Sequence, residues 1–77
     1  GSDHEYWVKI VERILRVMEK HAEIVKKHLE IVERVVREGP SEDLRRKLKE
    51  SLREIEESLR ELKELLDELD ELSEKTR

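Results

Sequence analysis

The chain has 77 residues, of which 35% are hydrophobic and 49% are charged, and its formal net charge at pH 7 is −4. A chain of this length forms one small domain, whose isolated core is only marginally stable. The acidic balance argues against nucleic-acid binding, and the absence of cysteine excludes disulfides and thiolate metal sites. No apolar run approaches the roughly 20 residues of a membrane span.

The predicted elements are two long helices separated by one break, Gly39-Pro40-Ser41. Gly39 supplies the left-handed conformation that ends a helix, and Pro40 cannot continue the ladder of backbone hydrogen bonds. Ser41 is a suitable N-cap for the next helix. Because the connection is short, the two helices are antiparallel neighbours in a single helical hairpin that takes up the whole chain. The predicted bounds are helix 1 over about residues 3–38, a loop at 39–41 and helix 2 over about 42–76, within one domain of residues 1–77.

Both helices repeat a seven-residue hydrophobic pattern, but the pattern is wider in helix 1. Four of every seven positions are apolar in helix 1, whereas an ordinary surface helix has about three. Helix 2 has a narrower stripe, so a lone hairpin would leave much of helix 1 uncovered as a sticky patch. We therefore expect an all-α protein whose hairpins oligomerise, with helix 1 inside. The strict repeat predicts a left-handed, coiled-coil-type bundle.

The interface between chains is expected to use apolar residues of both helices, most of them on helix 1. The expected partner is another copy of the chain or a second hairpin of different sequence. The predicted interface residues are Trp7, Val11, Ile14, Leu15, Met18, Ala22, Val25, Leu29, Val32, Leu52, Leu59 and Leu66.

Two histidines interrupt the apolar pattern of helix 1. The antiparallel register that pairs apolar with apolar residues also places His21 opposite Ser58 and His28 opposite Ser51. A neutral imidazole has one donor and one acceptor, and a hydroxyl can do both. An unpaired buried polar group costs roughly 1–3 kcal/mol. We interpret the four residues as two polar layers of a hydrogen-bond network that fixes register and oligomer state; the alternative is ordinary core histidines with satisfied hydrogen bonds.

Other chemistry is not favoured by the same residues. No carboxylate shares the apolar layers of His21 and His28 to orient an imidazole, and no Gly-rich turn offers an oxyanion hole. We therefore predict no enzymatic activity, no small-molecule substrate and no cofactor. The histidines are seven residues apart, whereas chelation by one helix uses i, i+4 spacing. A three-fold assembly would gather three histidines per layer, which could trap Zn²⁺, but the matched serines favour hydrogen bonding and we predict no metal site.

Burial of His21 and His28 in an assembly predicts that assembly depends on pH. Burial disfavours the protonated imidazole, so dissociated, unfolded chains bind more protons in acid. Stability is then intact above the ordinary histidine pKa of about 6.5 and falls as the pH drops below it. Dissociation would expose the apolar face of helix 1, and only in that state do we expect membrane contact, through its amphipathic character.

Several segments resemble those of computationally designed proteins. The opening Gly1-Ser2 matches what a cleaved expression tag leaves behind. The loop REGPSED, the segment SLREIEESLRELKELLDELDELSEK and the polar layers within Val/Ile/Leu heptads are typical of that style. Over its whole length the chain resembles de novo helical-hairpin bundles with buried hydrogen-bond networks.

This resemblance implies a synthetic structural protein, made as a soluble recombinant chain with no natural location. One branch of the class consists of six-helix homotrimers, whose inner and outer helices have unequal apolar faces, as here, and whose histidine networks can respond to pH. The other consists of obligate heterodimers, in which two different hairpins form a four-helix bundle. We favour the homotrimer. The chain departs from the class in one respect, because Asn and Gln often partner the histidines there and only serine is available here.

Overall fold

The computed structural model describes residues 2–75 as two α-helices, α1 over Ser2–Glu38 and α2 over Glu42–Lys75. They pack against each other as an antiparallel hairpin and form a rod of 56 × 15 × 14 Å. The predicted all-α helical hairpin is therefore confirmed. Residue 76, at which helix 2 was predicted to end, lies outside the described residues.

The loop has the conformation that its three residues dictate. Gly39 has a positive φ of 84°, and its N–H donates to the Val35 carbonyl oxygen at 2.9 Å, which closes the last turn of α1. The Ser41 hydroxyl oxygen accepts a hydrogen bond from the Leu44 N–H at 3.1 Å, as an N-cap does. The Arg45 N–H donates to the Ser41 carbonyl oxygen at 2.9 Å, which is the first helical hydrogen bond of α2.

Exposed ion pairs flank the loop on both helices. Arg34 donates to Glu38 at 3.0 Å, and this hydrogen bond holds the pKa of the Glu38 carboxyl below its usual 4.5. Asp43 contacts Lys47 at 3.1 Å and Arg46 at 2.6 Å; the Lys47 ammonium, and to a lesser degree Arg46, holds the pKa of Asp43 below 3.8. These exposed pairs stabilise the loop only slightly, and their contribution is present at neutral pH and lost in strong acid as the carboxylates protonate.

The core of the isolated hairpin is small. Among the described residues the buried apolar side chains are Ile10, at 1% exposure, Leu44 and Leu65. Ser51 and Ser58 are also buried, and they lie in the same heptad row of α2 as the buried Leu44 and Leu65. Most other apolar residues of the interface between α1 and α2 are half-buried.

One flank of the hairpin carries ion pairs between the two helices. Arg13 of α1 contacts Glu68 of α2 at 3.5 Å, and Lys20 contacts Glu61 at 3.8 Å. These two pairs are seven residues apart on both helices, so they follow the same heptad register as the apolar contacts. We refer to this side of the hairpin as its closed flank.

Replacing Gly39 tests the origin of the turn. A Cβ at this position would meet no atom within 4 Å, so the strain of Gly39→Ala comes from the positive φ alone. We expect Gly39→Ala to lower the free energy of unfolding by about 1–2 kcal/mol. Gly39→Asn, which tolerates this conformation better, should cost less. Urea denaturation followed by circular dichroism measures both; equal losses for the two variants would contradict the argument.

Candidate functional site

Two histidine–serine pairs join α1 to α2 in the middle of the hairpin. His28 Nδ1 lies 2.5 Å from Ser51 Oγ, and His21 Nδ1 is hydrogen-bonded to Ser58 Oγ. The structure thus brings together the four residues that the register of the sequence placed opposite each other. The serines are buried, and the histidines are half-buried within the single hairpin.

Each serine hydroxyl also contacts the backbone of its own helix. Ser51 Oγ donates to the Leu48 carbonyl oxygen at 3.0 Å, and Ser58 Oγ donates to the Ile55 carbonyl oxygen at 3.1 Å. A carbonyl can only accept and a hydroxyl has one proton, so with that proton on the carbonyl, the serine oxygen accepts from the imidazole. The geometry therefore favours the tautomer in which histidine Nδ1 carries the hydrogen and Nε2 is a bare acceptor.

The second nitrogen of each imidazole has no partner within the hairpin. No hydrogen bond among the described residues engages Nε2 of His21 or His28. In the same part of the chain no buried side-chain nitrogen or oxygen lacks a hydrogen-bond partner, so both Nε2 atoms reach the surface of the single hairpin. Their hydrogen bonds must come from water or from another chain.

Charged groups lie near the layer formed by His21 and Ser58. The Lys20–Glu61 ion pair lies beside it, and Glu54 and Glu57 line the same surface groove as Ser58. In residues 2–75 neither imidazole is hydrogen-bonded or ion-paired to a carboxylate, and no group of three or more potential ligands could hold a metal ion. The pairs therefore lack the third member that orients a histidine for nucleophilic catalysis.

A continuous apolar face lies beside these layers on the outside of the hairpin. Among the described residues eleven large apolar side chains are exposed, including Leu15 at 56%, Leu59 at 51% and Val36 at 80%. We call the surface formed by these residues, except Tyr6, the open face; Tyr6 lies seven residues before Arg13, in the row of the closed flank. The large exposed residues of the open face are Trp7, Val11, Leu15, Met18, Leu29, Val32, Val36, Leu52, Leu59 and Leu66.

The predicted interface residues fall on or next to the open face. Nine of the twelve belong to its large exposed residues, and Ala22 is exposed among them. Ile14 and Val25 are instead half-buried within the hairpin. Val36, the most exposed of these residues, was not among the predicted interface residues. Its position seven residues after Leu29, in the same heptad row as Leu15, could have identified it.

Comparison of the chain with protein-family models, curated proteins and solved structures gives no match. Within residues 2–75, neither helix combines the length and the apolar character needed to cross a bilayer.

A double-mutant cycle tests the polar pairs. Ser58→Ala leaves His21 without its partner and should destabilise by about 1–3 kcal/mol. Adding His21→Leu should recover much of this loss, because replacing both polar partners with apolar groups can be nearly neutral. Thermal and urea unfolding give the coupling energy.

The matched control combines Ser58→Ala with His28→Leu. These residues lie in different layers, about 10 Å apart along the helix axis, so their effects should add. The same coupling energy in both cycles would show that the serine does not act through its own histidine.

Proposed function

We propose that this chain is a designed structural module whose function is to assemble with copies of itself, most favourably as a trimer of hairpins. The observation that carries the proposal is the imbalance between the buried core and the open face. Among the described residues three apolar side chains are buried in the hairpin, and ten large ones are exposed on the open face. A contiguous apolar surface of this kind is characteristic of an interface.

The distribution of the open face supports an inner position for α1. Two of its heptad rows are exposed, represented by Met18 and Leu29, whereas α2 exposes the single row of Leu52, Leu59 and Leu66. A helix with two open rows can contact more than one further helix. In a trimer of hairpins the three α1 helices would surround the axis, and each α2 would cover the groove between two of them.

In this proposal the polar layers fix the register and carry the pH response. The imidazoles of His21 and His28 already hold one serine each and present Nε2 outward. On assembly, Nε2 has to find a donor or lose its contact with water, at a cost of roughly 1–3 kcal/mol. Layers of this kind penalise registers that leave Nε2 unpaired, which is how single polar positions specify coiled-coil assemblies. No substrate, cofactor or catalytic reaction is part of the proposal.

The second candidate is one subunit of an obligate heterodimer, and the tautomer favours it specifically. Copies of the same chain in the same tautomer offer only Nε2 acceptors to one another, so a homomeric layer needs bridging water. A different hairpin could instead supply donors directly to His21 and His28. The two candidates differ in what the chain does alone in solution.

The mass of the purified chain tests the proposal. Three chains of 9.3 kDa each give a trimer of about 28 kDa, which multi-angle light scattering resolves from a monomer. Leu59→Glu should disrupt assembly, because the side chain is 51% exposed in the hairpin but would be buried between chains. Arg60→Gln, with the same change in charge on a neighbouring exposed residue, should not. A monomeric or polydisperse wild-type chain that becomes defined only with a second sequence would support the heterodimer.

The pH response of assembly tests the histidines. Both imidazoles are half-buried in the hairpin, and neighbouring copies would complete their burial. Protonation then favours dissociated chains, so assembly should be intact above about pH 6.5 and weaken below it, by at most about 1.4 kcal/mol per histidine and pH unit.

Native mass spectrometry between about pH 7.5 and 4 measures this transition. The control is a variant carrying His21→Asn and His28→Asn, which should stay assembled to lower pH. Dissociation of both proteins at the same pH, or of the variant at the higher pH, would contradict the histidine switch. Both proteins carry the same carboxylates, so the difference between their transitions reports on the histidines.

A further inference from the structure

The closed flank shows how this chain uses charge to align two of its helices. On that flank α1 contributes the basic residues Arg13 and Lys20 and α2 the acidic residues Glu68 and Glu61, which form two ion pairs seven residues apart. The basic row of α1 and the acidic row of α2 therefore complement each other in antiparallel register. The opposite flank, beyond the open face, also carries a charged row on each helix.

These two rows border the open face. On α1, Glu19 and Glu33 each follow an exposed leucine of the open face by one helical turn, and on α2 Lys63 follows Leu59 in the same way. All members are exposed, and none forms an ion pair within residues 2–75. We call them the edge rows: Glu12, Glu19, Lys26 and Glu33 on α1, and Lys49, Glu56, Lys63 and Asp70 on α2.

The edge rows complement each other in an antiparallel register close to that of the closed flank. When the two rows are aligned antiparallel, residue by residue, they form three opposite-charge pairs and one like-charge pair, Glu12 with Asp70. Within one chain the rows lie on opposite sides of the open face, so they cannot meet there. The three opposite-charge pairs are Glu19–Lys63, Lys26–Glu56 and Glu33–Lys49.

We propose that the open face binds a second copy of this chain so that the α2 edge row of one copy lies along the α1 edge row of the next. The inference rests on the proposed homo-oligomer and gives its contact a direction. Each copy uses two different edges, so the contact is heterologous. With the hairpins pointing the same way and successive copies rotated by one third of a turn, it closes into the trimeric ring. Helix α1 then lies between its own α2 and that of a neighbour, with oppositely charged rows on both sides.

The competing arrangement pairs identical edges, with one hairpin inverted relative to the other. The α2 row is then complementary to itself, with Lys49 beside Asp70 and Glu56 beside Lys63. The α1 row is less so, because Glu12 lies beside Glu33 of the partner. The two arrangements make opposite predictions for Asp70, since its neighbour is Glu12 in the ring and Lys49 in the inverted pair.

Asp70→Lys is therefore the decisive variant. In the ring it replaces the one like-charge contact at each interface with an opposite-charge contact, and we expect the association constant of the oligomer to rise about tenfold. The matched control is Asp67→Lys, which makes the same change of charge one turn away on the outer surface. The difference between the variants should disappear in about 1 M salt, where the screening length is about 3 Å.

Sedimentation equilibrium in moderate denaturant measures these constants. If wild type assembles but Asp70→Lys weakens assembly, or has the effect of Asp67→Lys, the ring arrangement is wrong and the proposed assembly function still stands. If wild type is monomeric at every concentration, the assembly function itself fails. A gain for Asp70→Lys alone supports both.

Zero-length carbodiimide coupling gives a second readout that does not depend on stability. It joins carboxylates to lysines in direct contact, and a mixture of ¹⁵N-labelled and unlabelled chains identifies the products formed between chains. We expect Glu19–Lys63 and Lys26–Glu56 links between chains, with Lys20–Glu61 as the link within one chain. Links between chains that join Glu56 to Lys63 instead would overturn the proposal.

Discussion

The width of the apolar surface on α1 constrains everything else about this molecule. A helix with four apolar positions in seven cannot be covered by one neighbour, and of the α1 side chains that the structure describes, α2 buries only Ile10 completely. A leucine gains about 1.5–3 kcal/mol on full burial, so each half-exposed leucine of the open face leaves on the order of 1 kcal/mol unrealised. A single hairpin thus buries only part of its apolar surface. Burial of the remaining surface is the largest favourable free-energy change available to it, and this favours association.

Hydrophobic burial does not by itself select one register of the helices, whereas the hydrogen bonds of the polar layers do. Apolar heptads alone tolerate slippage by whole turns, because one leucine replaces another. His21 and His28 do not tolerate it, since each needs the serine directly opposite. The serines reinforce this selectivity: Ser51 and Ser58 use their only proton on the preceding turn of α2 and leave a fixed oxygen for the imidazole to meet. The register within the hairpin is set by the loop and by these two contacts together.

Much of this arrangement could be predicted from the sequence, because it depends on period and on local backbone chemistry. The positive φ of Gly39 and the N-cap role of Ser41 follow from residue type. The pairing of His21 with Ser58 follows from antiparallel register. The direction of the imidazole could not be predicted, since which nitrogen faces the serine depends on side-chain rotamers.

The exposure of individual apolar residues could not be predicted from the heptad pattern either. The heptad identifies the apolar rows, but how deeply each row is covered depends on where the second helix crosses it. Val36 and Ile10 are both apolar positions of α1, yet their exposures are 80% and 1%. Val36 lies in the last turns of α1, in a row that α2 does not cover, whereas Ile10 lies in a row that faces α2.

The hairpin connection also gives the rod two chemically different poles. One pole is the tight turn at Gly39, with its small cluster of ion pairs and the exposed Val36; at the other, α1 begins and α2 ends. If copies associate side by side in the same direction, the beginning of every α1 and the end of every α2 lie at one pole. A domain fused to either end would then be displayed in several copies from a single platform, and the turns at the far pole would stay unobstructed.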